Sequence, residues 1–167
     1  MNFRRTSVTW LWLLAPPLWG QTPARPRVAV LNLRFDGEHA TVPEPGDTAV
    51  VAAATSKLIA TLRSSERLAV VDSGTVAAAV SAAANVNSCD KACARAVAQR
   101  LGAAWVTSGT VTKTSNLVWV LTAELFDAVT GRSVLADSYE LKGDARTMAP
   151  AGAHVFAQRV LRALTEP

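Results

Sequence analysis

The stretch Ala103–Gly143, AAWVTSGTVTKTSNLVWVLTAELFDAVTGRSVLADSYELKG, decides the fold. It is rich in β-branched and aromatic residues and alternates in polarity. In its middle part Leu117, Trp119, Leu121, Ala123 and Leu125 fall on one face, and Val118, Val120, Thr122 and Glu124 on the other. That period of two is the mark of a half-buried strand. DAVTGR interrupts the pattern as a hairpin does. Gly131 can take the positive φ of a type I turn with a bulge. KTSN marks a second tight connection. Three strands joined by two short turns form an antiparallel meander.

Upstream the pattern differs. RVAVLNLRF, residues 27–35, is an apolar run bounded by Pro26 and Asp36-Gly37 and reads as a buried strand. The polar loop DGEHATVPEPG follows. Asp47 is placed to cap a helix whose stripe is Val50, Val51, Ala54, Leu58, Ile59 and Leu62. RLAVVD is a second short strand. An alanine-rich helix then runs from Asp72 or Ser73 to about Ala83, and NVNS breaks it. A third helix spans about Asp90 to Leu101, with Gly102 just past its end. Downstream of the meander, Pro150 suits the first turn of a last helix. Its stripe is Ala153, Phe156, Ala157, Val160, Leu161 and Leu164. The order predicts an α/β (α+β) fold. A parallel βαβ first half and an antiparallel second half share one mixed five-stranded sheet, with about four helices.

The 167 residues suffice for one domain, and half of them are hydrophobic with 18% charged, so a packed core is expected. The N-terminus reads as an export signal: MNFRR is a short positive region and VTWLWLLAPPLW an apolar one. The apolar part is shorter than the ~20 residues of a spanning helix. Residues 1–20 are therefore expected to be a signal peptide or short N-terminal anchor. Residues 21–26 are a linker, and residues 27–167 a single α/β domain. The net charge is +4, and without Arg4 and Arg5 it is +2, with no Lys/Arg run. That composition excludes a nucleic-acid footprint.

Export implies an oxidising compartment, where an even cysteine pair is first a disulfide candidate. Cys89 and Cys93 are four residues apart. If Ser88 caps the third helix, both are helical, with Cβ atoms ~5–6 Å apart, too far for a bridge. If Asp90 is the cap, Cys89 lies outside the helix and can fold back over its first turn. A reduced buried pair and a thiol-redox or metal site stay open beside the disulfide. The spacing is not C-x-x-C, and His39 and His154 are the only histidines. No nucleophile elbow, phosphate loop, dinucleotide fingerprint or zinc-helix motif occurs. We expect no catalytic residues, cofactor or metal. Asp127, Asp137, Glu124 and Glu140 can pair across strands, and Trp105 and Trp119 read as core.

RVAVLNLRF, RLAVVD, SCDKAC, RLGA, SGTVTKTSNL, DAVTG and the terminal RVLRAL, in that order, resemble an exported bacterial family catalogued as domain of unknown function 2380. The resemblance covers about residues 27–165. The layout is more distantly similar to the N-terminal domain of TolB and to CsgG-type α/β domains, envelope proteins that work through protein contacts. It implies a periplasmic, non-catalytic domain and brings no catalytic residues. The expected function is binding of an envelope or membrane-complex partner protein, with the exposed edge strands of the meander and the DGEHATVPEPG loop as contact surfaces. An alternative is an accessory subunit of a membrane-bound complex, for example in electron transfer or secretion. An uncleaved segment within residues 1–20 would hold it there. A second alternative is a thiol-redox or metal-binding protein.

Overall fold

A computed structural model describes residues 25–36, 44–83, 89–115 and 117–165. His39 and most of the DGEHATVPEPG loop lie outside these residues. The described chain forms β1 (Arg27–Val30), β2 (Arg34–Asp36), α1 (Asp47–Arg63), β3 (Ala69–Val70), α2 (Ser73–Ala83), α3 (Lys91–Arg100), β4 (Trp105–Lys113), β5 (Val118–Asp127), β6 (Ser133–Lys142) and α4 (Ala145–Thr165). The fold is the mixed α/β sheet expected. β1 pairs in parallel with β3 and β4, and β4, β5 and β6 form the antiparallel meander. The order across the sheet is β3-β1-β4-β5-β6, with β2 beside β4.

The sheet has six strands rather than five, because RVAVLNLRF is broken in two. β1 and β2 lie in line along the same side of β4, at Val28↔Trp105 and Arg34↔Thr110. The break has a visible cause. Leu33 donates its backbone N–H to Thr55 Oγ1 on α1 at 3.1 Å instead of to the sheet. Thr55 in turn donates to Val51 O. A side chain of α1 thus takes over a ladder bond, and the strand is interrupted there.

Two cores result. On one face α1 and α4 cover the sheet, with Leu58, Leu62, Phe156, Ala157 and Val160 against Val28, Val30, Leu121 and Leu125. The α1 and α4 stripes read from the sequence are the buried or half-buried ones. On the other face Val76, Ala94 and Ala98 of α2 and α3 cover Ala29, Val106 and Phe126. The part of this second face carrying Thr110, Thr112, Val120, Thr122 and Ser138 is half-buried or exposed.

Three local expectations change. α1 is capped by Gly46, at φ 108°, and Asp47 is its first residue. α4 starts at Ala145, so Pro150 lies inside the helix rather than in its first turn. Asp144 sets that earlier start, accepting from Arg146 N at 3.1 Å and from Thr147 Oγ1 at 3.0 Å. The N–H that proline lacks would have reached only Arg146, still near the helix start. Leu117 precedes β5 and is exposed. In the β5–β6 hairpin Gly131 has φ 73° and donates to Asp127 O at 2.9 Å. Asp127 Oδ1 also accepts the N–H groups of Val129 and Thr130. The Thr130 N–H, above all, holds the Asp127 carboxyl below the usual range.

Candidate functional site

The start of α3 is built by its cap. Asp90 is extended, and its Oδ1 accepts from Cys93 N at 2.8 Å. Cys89 therefore stands outside the helix and Cys93 within its first turn. The two are joined by a disulfide, with Cα atoms 5.1 Å apart. A ring this small contributes about 2 kcal/mol by chain entropy. It is a local staple. Cys89 lines a groove of about 190 Å³ on the sheet's second face, with Arg34, Lys91, Ser108, Thr110 and Glu124. Lys91 Nζ bridges to Glu124 Oε1 at 2.5 Å and lies 4.9 Å over the Phe126 ring.

The most buried charge of the described chain went unread in the sequence. Lys113, at the end of β4, has a side chain only 4% exposed. Its Nζ lies 3.2 Å from Asp47 Oδ2, 3.1 Å from Glu44 Oε2 and 5.5 Å over the Trp119 ring. Burial alone would pull its pKa down. The hydrogen bonds that Lys113 donates to Glu44 and Asp47, with their charges, outweigh burial, and the net direction is up. The signal was present: Lys113 shares the inward phase of β4 with Val111. Its partner Asp47 is 66 residues away, so no local pattern names it.

The four carboxylates that could pair across strands take other partners. Glu124 takes Lys91, Asp127 holds its own turn, and Glu140 takes Lys142. Asp137 accepts from Tyr139 Oη at 2.7 Å and from Arg159 at 2.5 Å. Burial, aided by Asp137, pushes the Tyr139 hydroxyl up to about 12. Tyr139 is the only tyrosine of the chain, so phenolate absorbance reads it cleanly. Its midpoint is expected near 12, and in Asp137→Asn closer to the ordinary ~10. A midpoint near 10 in the unaltered folded protein overturns the assignment. Because both folded pKa values are raised, the stability that Tyr139 and Lys113 contribute is complete below about 10. For Tyr139 it is lost as pH rises toward 12, and for Lys113 as pH rises above the ordinary lysine range.

His154 has both ring nitrogens engaged, Nδ1 with Thr61 Oγ1 and Nε2 with Gln158 Nε2, each at 3.0 Å. Trp119 is buried in the core with its ring 5.9 Å from Phe35, and Trp105 is half-buried. Among the described residues no three His, Cys, Asp or Glu side chains gather as metal ligands. Among them, too, no helix is long and apolar enough to cross a membrane.

A concavity that bears on binding lies at the sheet edge. A groove of about 550 Å³ runs between β2, α1 and the start of α2. Leu33, Phe35, Val51, Ala52 and Ile59 give it an apolar lining, edged by Thr48, Ser56 and Ser73. β2 pairs only with β4, so no strand adjoins its outer side among the described residues.

A family model described as "Protein of unknown function (DUF2380)" matches residues 26–159. The chain belongs to this family. No curated protein matches the DUF2380 chain significantly. Among solved structures it is similar to the lipoprotein GNA1162 from Neisseria meningitidis: 15% identity and TM-score 0.55, over 84% of this chain and 99% of that one. It is also similar to the LpoB C-terminal domain from Escherichia coli, with 15% identity, TM-score 0.54, and 71% and 83% covered. TolB from Acinetobacter baumannii matches at 15% identity and TM-score 0.53, over 84% of this chain and 28% of TolB. These likenesses are of fold. The one to TolB was expected from the sequence; the one to CsgG-type domains stays an expectation.

Proposed function

We propose that this DUF2380 domain is an exported, non-catalytic module that binds a partner protein in the cell envelope, with residues 1–20 as its export signal. The observation that carries the reading is the edge groove. It combines an apolar trough of about 550 Å³ with the outer side of β2, which no strand adjoins among the described residues. An extended partner segment can add there as a strand and place alternate apolar side chains against Phe35, Val51 and Ile59. The opposite edge is less suited. On β6 the inward-pointing Asp137, clamped by Arg159, is a charge of the kind that blunts strand pairing. That one fold relative is described as a lipoprotein supports the envelope setting.

Ala52 is exposed on α1 and lines the groove, so Ala52→Arg blocks it without disturbing the core. In a pull-down from envelope extract the unaltered chain is expected to recover a stoichiometric partner, and Ala52→Arg to lose it. Ala136→Arg, on exposed β6, is expected to keep it. The mature N-terminus in the same preparation is expected at Gln21 or Arg25. No stoichiometric partner, or equal recovery by Ala52→Arg, sinks the binding reading, and an intact N-terminus sinks the cleaved signal.

A further inference from the structure

The Cys89–Cys93 bridge presents two unlike sulfurs. Both cysteines are half-buried; Cys89 precedes α3, packs against the second core, and alone of the two lines the groove of about 190 Å³ that opens on the sheet's second face. Cys93 is the third residue of α3, and its own N–H is held by Asp90. A sulfur in the first turn of a helix faces the positive end of the helix dipole, which stabilises a thiolate. Charges around the groove are mixed: Arg34 and Lys91 against Asp90 and Glu124. An arriving thiolate therefore meets no net negative wall.

We propose that this bridge is a thiol–disulfide exchange site, in which Cys89 Sγ is the sulfur attacked and Cys93 Sγ the leaving thiolate. The reductant is a dithiol. One of its thiolates forms a bond to Cys89 Sγ as the Cys89–Cys93 bond breaks, and the electron pair leaves on Cys93. The second thiol then attacks the mixed disulfide and releases Cys89. The bridge gains two electrons and two protons, and the dithiol ends as a disulfide. Access and leaving-group acidity point the same way: the groove reaches Cys89, and the more acidic thiol leaves faster. Exchange at this bridge is separate from the edge groove, so Ala52→Arg leaves it unchanged.

The probe is reduced glutathione, added briefly to the oxidised folded chain, with free thiols then blocked by N-ethylmaleimide. Lys91 lies between the two cysteines, so trypsin places them on separate peptides. Glutathione is expected on Cys89 in excess over Cys93 by about tenfold or more, and N-ethylmaleimide on Cys93, with an unchanged circular dichroism spectrum. Glutathione divided equally, or found mostly on Cys93, overturns the proposal. So does a bridge that yields to the probe only after denaturant unfolds the chain. As an independent readout, Cys93 in the Cys89→Ser variant is expected to alkylate at lower pH than Cys89 in the Cys93→Ser variant. The reverse order overturns the assignment of the leaving group.

Discussion

Gly109→Ala is expected to cost the domain at least about 3 kcal/mol, the upper end of what overpacking takes from a well-packed core. For a domain of this size that lowers Tm by roughly 6–12 °C. Gly109 sits in the middle of β4, opposite Ala123 of β5. A Cβ there would lie 2.4 Å from the backbone oxygen of Thr122, 2.9 Å from Leu33 Cδ2 and 3.1 Å from Ala123 Cα. Two of these three atoms are backbone and cannot rotate away, so β4 and β5 have to separate or slide. The entropic gain from replacing a strand glycine is only about 0.5–1 kcal/mol and does not offset this. Gly143→Ala is the control. Its φ is 98°, and nothing stands within 4 Å of the added Cβ, so only conformation is charged, at about 1–2 kcal/mol. Thermal and urea unfolding measure both. If Gly109→Ala proves no worse than Gly143→Ala, the close approach of β4 to β5 is wrong.

Phe156→Ala is expected to lose about 3–5 kcal/mol, a large share of the 5–15 kcal/mol typical of a domain. Phe156 is fully buried on α4 and is among the largest side chains of the core. The helices on this face are alanine-rich: Ala54 on α1 and Ala149, Ala153 and Ala157 on α4 are all buried. Methyl groups have no rotamer with which to fill a hole, so the cavity persists and its cost is not relieved. Phe156→Leu keeps most of the volume and is expected to lose less than half as much. Urea denaturation with an unchanged m-value reads both. A loss under about 1 kcal/mol for Phe156→Ala would mean that α4 does not pack on the sheet through this residue.

What was legible before the tertiary structure follows local rules. The stripes Val50–Leu62 and Ala153–Val160 repeat at helical spacing, and the faces of Leu121–Leu125 alternate, so the elements and their buried sides could be written down. Gly131, Gly102 and Asp90 sit where a turn, a helix end and a helix start want them. The β1–β2 break could not be read, because its cause is a hydroxyl on α1, Thr55, reaching across 22 positions to Leu33. The edge groove was equally hidden, since it exists only where α1 and α2 meet β2.

By itself, then, the sequence determined the class of fold. Period, turn residues and caps act over a few residues, and they already separate a βαβ half from a meander. The tertiary structure alone decided which charges leave water. A lysine in an alternating strand looks like any solvated lysine until α1 brings Asp47 and Glu44 over Lys113. A charge is desolvated only when the fold supplies its counter-charge through space, and that pairing is carried by no local pattern.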